Sequence, residues 1–255
     1  RLANCQVPMC ATCQYGKLTR RPWRTKGSLK QVSNLVPIKR AGDCVSVDQM
    51  ESPTPGFIAQ IKGRLTKHRY RCATVFVDHY SRLGYVYLQT STNAAETLQA
   101  KKAFESYARS HGVRVRHYHA DNGRFSETAF LSDVSLQRQS ISFCGVNAHF
   151  QNGISEKRIR DLTEAARTNL LFAASRWAGA HSVALWPYAF RMANDVHNST
   201  PRTKDKHHRS PLELFTGTKV RPNLGNLHHF GCPLYVLRSP LATGSKSVTK
   251  WESRA

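Results

Sequence analysis

Acidic residues are scarce in this 255-residue chain: 16 Asp and Glu stand against 38 Lys and Arg, for a formal net charge of +22. Such an imbalance costs self-repulsion in a compact fold unless a polyanion offsets it. Nucleic acid is the usual polyanion, because each neutralised phosphate releases a counterion. The composition therefore favours a nucleic-acid-binding protein over a merely soluble basic one. The few acids become informative, since a carboxylate beside a polyanion needs a metal or a cation to invert its charge.

Other absences argue against further classes of protein, namely membrane-spanning, secreted and disulfide-rich ones. No run of eighteen apolar residues exists, so no membrane span is expected, and the first residues lack the apolar stretch of a signal peptide. The seven cysteines are odd in number and irregularly spaced, which argues against a disulfide framework and for a reducing compartment. The hydrophobic content of 40% suffices for a real core.

The hydrophobic pattern predicts a mixed α/β domain around a sheet. A strand is expected at 43–51, followed by a loop or hairpin connection at 52–69. Asn93 and Gly112 delimit one helix at 93–111. The remaining predicted strands are 70–79, 83–90, 113–120, 139–145 and a short one at 232–237, and the remaining helices are 126–137, 154–177 and 181–198.

Three acids occupy positions that this layout would bring together. Asp48 lies in the first strand, Asp121 just past the 113–120 strand, and Glu156 in the first turn of the long helix. Strand ends and helix N-termini cluster at one edge of such a sheet. Phosphoryl transfer with two Mg²⁺ ions needs oxygen ligands of this kind. Taken singly, each acid has an ordinary structural explanation: an edge residue, a turn, and a helix-dipole partner.

The flanking residues carry a resemblance. Val45-Ser-Val-Asp48, His119-Ala-Asp121-Asn-Gly-Arg-Phe125 and Gln151-Asn-Gly-Ile-Ser-Glu156 are similar, in order, to the three acidic blocks of copia-type (Pseudoviridae-like) retrotransposon integrases. Later segments resemble that family as well, so the similarity covers nearly the whole chain. They are Trp186–Phe190, Ser210–Phe215 and Phe230–Val236.

The resemblance implies an RNase H-like fold, a mixed five-stranded sheet flanked by helices with irregular basic extensions at both ends. It implies that Asp48, Asp121 and Glu156 bind two Mg²⁺ (or Mn²⁺) ions, with Asp48 bridging both. The implied reaction joins the 3′ ends of element DNA to target DNA. Alternatives are an RNase H-like nuclease and a catalytically decayed DNA-binding remnant of a transposon.

Two departures from the family pattern bear on this reading. One residue, not two, separates Gly123 from Phe125, so 34 residues lie between Asp121 and Glu156 instead of the familiar 35. A one-residue loop deletion is easily absorbed, but it also suits a decayed copy. Cys10 and Cys13 resemble the end of a zinc-binding segment, although the two upstream histidines that the family pattern needs are absent. Zinc binding is therefore expected only in an intact N-terminal segment.

The expected domains are the end of that segment with a basic linker at 1–38, the catalytic core at 39–200 and a C-terminal extension at 201–255. The resemblance also implies double-stranded DNA of element and target as partner, a homo-oligomer, polyprotein neighbours, no membrane, and a nuclear location with a cytoplasmic particle stage.

Several polar residues around the acids are expected to contact DNA. On the long helix Glu156, Arg160 and Arg167 fall on one stripe, opposite an apolar stripe that would face the core. The full set of expected DNA contacts is Asn122, Gln151, Asn152, Lys157, Arg160 and Arg167. Asp78, a tempting fourth acid, is interpreted as a turn-capping residue. His117 and His119 are interpreted as structural or DNA-facing residues instead of metal ligands.

Overall fold

A computed structural model describes residues 10–17, 37–59, 66–144, 152–177, 179, 182–203, 205–219 and 227–235. Five strands form one sheet in the order β3-β2-β1-β4-β5. The strands are β1 (Val45–Gly56), β2 (Tyr70–Asp78), β3 (Gly84–Gln89), β4 (His117–Ala120) and β5 (Ser140–Phe143). The helices are α1 (Ala11–Lys17), α2 (Ala94–Ser110), α3 (Thr128–Leu136), α4 (Gly153–Arg176), α5 (Trp186–Ser199) and α6 (Pro211–Thr216).

The sheet is mixed, as the sequence predicts. β1, β2 and β3 form an antiparallel meander, whereas β4 and β5 run parallel to β1. The parallel strands follow helices α2 and α3, which supply the crossover connections that parallel neighbours require. β1 therefore lies at the centre of the sheet, with β4 on one side and β2 on the other.

Two apolar layers cover the two faces of the sheet. On one face Val45 and Val47 pack with Phe76, and the core continues through Phe104 of α2 and Phe130 of α3. On the other face alternate residues of β2 meet α4 and α5, as a half-buried pleated strand requires. That second cluster includes Ala73, Val75, Val77, Leu162, Ala166, Leu170, Ala189 and Phe190.

Local signals place α2 as predicted. The Asn93 side chain accepts a hydrogen bond from the Glu96 backbone N–H at 2.8 Å, which caps the first turn. Gly112 has φ +73°, a left-handed conformation that ends the helix at little steric cost. In α6, Ser210 and Glu213 form a reciprocal capping box.

The first strand is longer than its alternating pattern predicts. β1 continues through the predicted loop to Gly56, and its register with β2 shifts between Glu51 and Gly56. Pro53 and Pro55 fall within this irregular stretch, where their missing N–H groups break no regular ladder. Contacts with the start of α5 hold the extension, since the Trp186 indole N–H donates to the Thr54 carbonyl at 2.8 Å.

Two other strand predictions are wrong in part. Residues 113–116 are not strand, because parallel pairing with β1 begins only at Val45 and Tyr118. Just before β4, the Arg116 N–H donates to the carbonyl of Gly42, in the turn that precedes β1, at 2.8 Å. Residues 232–235 also form no strand, and the last two residues of that predicted strand lie outside the described part.

No helix in the described ranges combines the length and apolar character that crossing a membrane would require.

Candidate active site

Asp48 and Asp121 are brought together by the parallel pairing of β1 and β4. Val47 of β1 pairs with Ala120 of β4 in the parallel register. Asp48 and Asp121 are the residues that directly follow these two. Both acids are half-buried. The Asp48 carboxylate accepts a hydrogen bond from the Gln49 N–H at 2.8 Å. The predicted clustering of acids at one edge of the sheet therefore holds for these two.

Glu156 comes to the same region through the N-terminus of α4. Asn152, at the N-cap position, is 2% exposed, and its side-chain amide donates to the Val47 carbonyl at 3.0 Å. Val47 immediately precedes Asp48, so this bond ties the beginning of α4 to β1 next to that acid. Glu156 follows in the first turn of the helix, exposed to solvent, where the helix dipole favours a negative charge.

All three acids act on one buried thiol, that of Cys144. Burial is the main cause of its raised pKa, and the negative charges of Asp121, Glu156 and Asp48 raise the pKa further. Cys144 follows β5 directly, and its backbone N–H donates to the Ala120 carbonyl at 3.0 Å. Three acids from β1, the end of β4 and α4 thus contribute to the electrostatic environment of one thiol. The sequence shows Cys144 only as one of seven irregular cysteines.

The donor chemistry of the three acids suits a hard divalent cation, because carboxylate oxygens are the ligands that Mg²⁺ prefers. The register of β1 with β4 and the bond from Asn152 to Val47 place these donors in one region of the fold. Within the described ranges, however, no three Asp, Glu, His or Cys side chains form a preassembled metal cage. The three residues are of the type that would hold Mg²⁺, and they belong to neighbouring elements of the fold.

Histidines and serines line the sheet face beside the acids. Both ring nitrogens of His117 contact hydroxyls, those of Ser140 and Ser142, each at 2.8 Å. His119 contacts Ser142 through Nδ1 at 2.9 Å and the Cys144 sulfur through Nε2 at 3.6 Å. Burial and then the neighbouring His119 lower the pKa of His117. The structural interpretation of the pair is confirmed for His117, whose two nitrogens are both engaged.

Asp78 has the turn-capping role that its position predicts. It is fully buried, and its carboxylate accepts hydrogen bonds from the N–H and hydroxyl of Ser81, both at 2.7 Å, and from the Gly42 N–H at 2.8 Å. Burial raises its pKa, and these hydrogen bonds oppose the rise. Asp78 therefore stabilises the β2–β3 hairpin and lies apart from the acidic site.

The predicted DNA-contacting residues have different surroundings. Asn122 and Arg160 are exposed. Lys157 is exposed but pairs with Asp161 at 2.6 Å. Arg167 donates to the Gly16 carbonyl of α1 at 3.2 Å, so part of its hydrogen-bonding capacity is used within the protein.

The two remaining predicted contacts differ again. Asn152 is buried against β1, a place that suits positioning of Glu156 better than surface contact. Gln151 lies outside the described residues. Along α4 the predicted core stripe is confirmed at Leu162, Ala166 and Leu170, but the sequence pattern missed Arg158, which is only 5% exposed.

Cys10 and Cys13 lie at the start of α1 and form no disulfide with another described residue. The Cys10 thiol contacts the Thr12 hydroxyl at 3.0 Å. That hydrogen bond, with further ones to Cys13, lowers the pKa of Cys10 to about 7. A thiol of this kind is readily deprotonated for metal binding. The zinc assignment of the intact segment stays a prediction.

Comparison with known proteins gives two curated relatives from Arabidopsis thaliana, both retrovirus-related Pol polyproteins. The one from transposon RE1 is 30% identical over 175 residues, and the one from transposon RE2 is 29% identical over 174 residues. Each match covers 67% of this chain. Homologues of this chain are retrotransposon Pol polyproteins. No protein-family model matches.

This chain spans about a tenth of each Pol polyprotein that it matches, 11% in both cases. Its homology to transposon polyproteins confirms the resemblance that the acidic blocks carry. Among solved structures, the cryoEM structure of the simian T-cell lymphotropic virus intasome in complex with PP2A regulatory subunit B56 gamma has a TM-score of 0.52 at 14% identity. The match covers 73% of this chain and 60% of that one, and it shows a shared fold. The predicted α/β fold, a mixed five-stranded sheet flanked by helices, is confirmed.

Proposed function

We propose that this chain is the catalytic core of a retrotransposon integrase, which joins the 3′ ends of element DNA to target DNA by phosphoryl transfer supported by two divalent cations. One observation carries the proposal: the parallel pairing of β1 with β4 places Asp48 beside Asp121, and the hydrogen bond from Asn152 to Val47 holds the first turn of α4, with Glu156, against the same strand. Homology to retrotransposon Pol polyproteins supports this reading of the site.

Asp48, Asp121 and Glu156 would hold the ions. When bound, Mg²⁺ or Mn²⁺ would neutralise the phosphate and favour both the attacking and the leaving oxygen. In the proposed reaction a DNA 3′-hydroxyl attacks a target phosphodiester, one P–O bond forms and one breaks, and the displaced 3′-oxygen takes a proton. The reaction needs neither a covalent protein intermediate nor ATP, since one phosphodiester replaces another.

The remaining residues of the site would bind and orient DNA. Arg160 is exposed on α4 one turn after Glu156, where a phosphate of DNA bound at the acids would meet it. Asn122 is exposed directly after Asp121. Asn152 would hold α4 against β1, so that Glu156 keeps its place relative to Asp48. The net charge of +22 supports binding to the DNA backbone with little sequence preference.

The proposed assembly is a homo-oligomer on element and target DNA within the nucleus. The solved structure of similar fold is an intasome, which supports an assembly of this kind here. Neighbouring regions of a Pol polyprotein would flank the chain, as they do in its much longer relatives.

Strand transfer of a labelled DNA end, with Mg²⁺ or Mn²⁺, tests the proposal. We expect Glu156→Gln to lower the yield of joined product by roughly a hundredfold or more, because loss of a metal ligand should exceed the 10–100-fold loss typical of residues that only support one. Glu164→Gln is the matched control, since it makes the same change two turns later on α4.

Three results would overturn the proposal. Equal joining by the two variants would remove Glu156 from the site. Fragments without joined DNA from the unmodified chain would indicate a nuclease that uses water as the nucleophile. DNA binding without any product would indicate a decayed remnant.

A further inference from the structure

Three arginines surround one turn of the protein, the hairpin at residues 80–83 between β2 and β3. Arg158 of α4 donates through Nη2 to the carbonyl of Arg82 at 2.6 Å. Arg202, which follows α5, directs Nη1 to the carbonyls of Tyr80 and Ser81, both at 3.4 Å. Arg82 itself belongs to the turn and has φ +65°. The hairpin, α4 and the segment after α5 thus bring three positive charges to one place.

The charge of these arginines is not matched by an acid. Arg158 is 5% exposed, and its Nη1 has no hydrogen-bond partner among the described residues. In the part of the chain that the structure describes, none of the three forms an ion pair within 4.0 Å of a carboxylate. The nearest acids have other partners: Asp161 pairs with Lys157, and Asp78 caps the hairpin. A buried guanidinium without a counter-charge is costly and is rarely kept in a fold.

The positive charge of Arg202 affects the ionisation of Arg82. Burial and then Arg202 lower the pKa of Arg82, and Asp78 opposes them. His197 of α5 has its pKa lowered to about 4 by burial and then by Arg158, so it adds no positive charge at neutral pH. The region keeps a net positive potential.

Gly84 allows Arg158 and Asn194 to lie close to the hairpin. A Cβ on Gly84 would lie 2.2 Å from Arg158 Nη1 and 2.4 Å from Asn194 Oδ1, so a larger residue would clash with both. Among the described residues, neither of these two atoms has a hydrogen-bond partner. Neither contact supplies a counter-charge for the three guanidiniums, which an anion would supply.

We propose that Arg82, Arg158 and Arg202 form an anion site that takes a phosphate group, with Arg158 at its floor and the partly exposed Arg82 and Arg202 at its rim. The planar, fixed donors of guanidinium groups match the oxygens of phosphate. The phosphate belongs either to free inorganic phosphate or to a nucleic-acid backbone. The site is separate from the three carboxylates and goes beyond the proposed joining reaction.

The first experiment measures thermal unfolding of the full chain while inorganic phosphate replaces chloride at constant ionic strength. We expect the unfolding midpoint to rise and to saturate in the unmodified chain, because a ligand that binds only the folded state stabilises it by mass action. Arg82→Gln with Arg202→Gln should abolish the saturable rise. Arg114→Gln with Arg176→Gln is the control, since it removes the same charge from two exposed positions.

A second arm measures binding of a short DNA duplex by fluorescence anisotropy. If the backbone of DNA supplies the phosphate, the Arg82→Gln, Arg202→Gln double variant binds the duplex at least tenfold more weakly than the control double variant. Inorganic phosphate then also competes with the duplex for binding. If free phosphate is the ligand, both double variants bind DNA equally and only the thermal response differs.

Arg158→Met provides an independent test of the floor. It keeps much of the side-chain volume and removes the unmatched charge, so the protein should remain folded and lose its response to phosphate. Equal phosphate responses in the two double variants, or no saturable response to phosphate in the unmodified chain, would overturn the proposal. Neither result depends on the Glu156→Gln experiment, so failure of this site and failure of the joining reaction can be distinguished.

Discussion

The bond from Asn152 to Val47 should be measurable both in stability and in catalysis. Asn152→Ala removes a buried donor at 3.0 Å from the Val47 carbonyl, and the side chain that it replaces is 2% exposed. Leaving a buried carbonyl short of a partner costs about 1–3 kcal/mol. If the whole cost falls on the position of Glu156 relative to Asp48, the joining rate falls by roughly 5- to 150-fold, since each 1.36 kcal/mol is about a factor of ten.

The assay pairs urea unfolding with strand transfer on the same preparations. Asn169→Ala is the control, because it makes the same change at a half-buried position of the same helix. Asn152→Asp should behave like the alanine variant or worse, since it keeps the shape, loses the donor and adds a negative charge beside the three acids. Stability and joining rate equal to those of Asn169→Ala would refute the idea that this bond positions α4.

Two further predictions concern buried charge. Lys101 is fully buried, with Nζ 2.8 Å from Glu105 and 2.5 Å from Asp133. Lys101→Met leaves two carboxylates without their buried cation and should lower the free energy of urea unfolding by about 3–5 kcal/mol. A loss below about 1 kcal/mol would contradict this expectation. Burial lowers the pKa of His79 from 6.5 to about 4, so the unfolded chain takes up the proton at a higher pH than the folded chain does. The contribution of neutral His79 to folding stability is therefore complete above pH 6.5 and is lost as the pH falls towards 4. Urea midpoints across that range should depend less steeply on pH in His79→Gln, and an unchanged slope would rule His79 out as a source.

Elements with strong local signals could be predicted from the sequence. The α2 helix has a capping side chain at Asn93 and a glycine at its end, and both act over only a few residues. The β2–β3 hairpin has β-branched and aromatic strands around a turn that Asp78 caps through nearby groups. These interactions depend on neighbours in the chain, so the pattern of residues is enough to identify them.

Elements that depend on distant partners were mispredicted or missed. β1 continues past two prolines because the start of α5, more than a hundred residues later, contacts Thr54. β4 begins only at His117 because the turn at Gly42 occupies the Arg116 N–H. The charge of Arg158 suggests an exposed helix face, yet its guanidinium lies buried against the hairpin. A periodic pattern carries no information about such partners.

The same distinction between local pattern and distant partners applies to the acidic site. The order of the three acidic blocks made Asp48, Asp121 and Glu156 the candidate site residues, and the shortage of other acids in a basic chain drew attention to them. Only the tertiary structure decided what surrounds them: the Cys144 thiol whose pKa their charges raise, the buried amide of Asn152, and the arginines around the hairpin. The reason is physical, because residue type and spacing set the chemistry that a segment can perform, whereas burial and the choice of partner arise only when distant segments pack together.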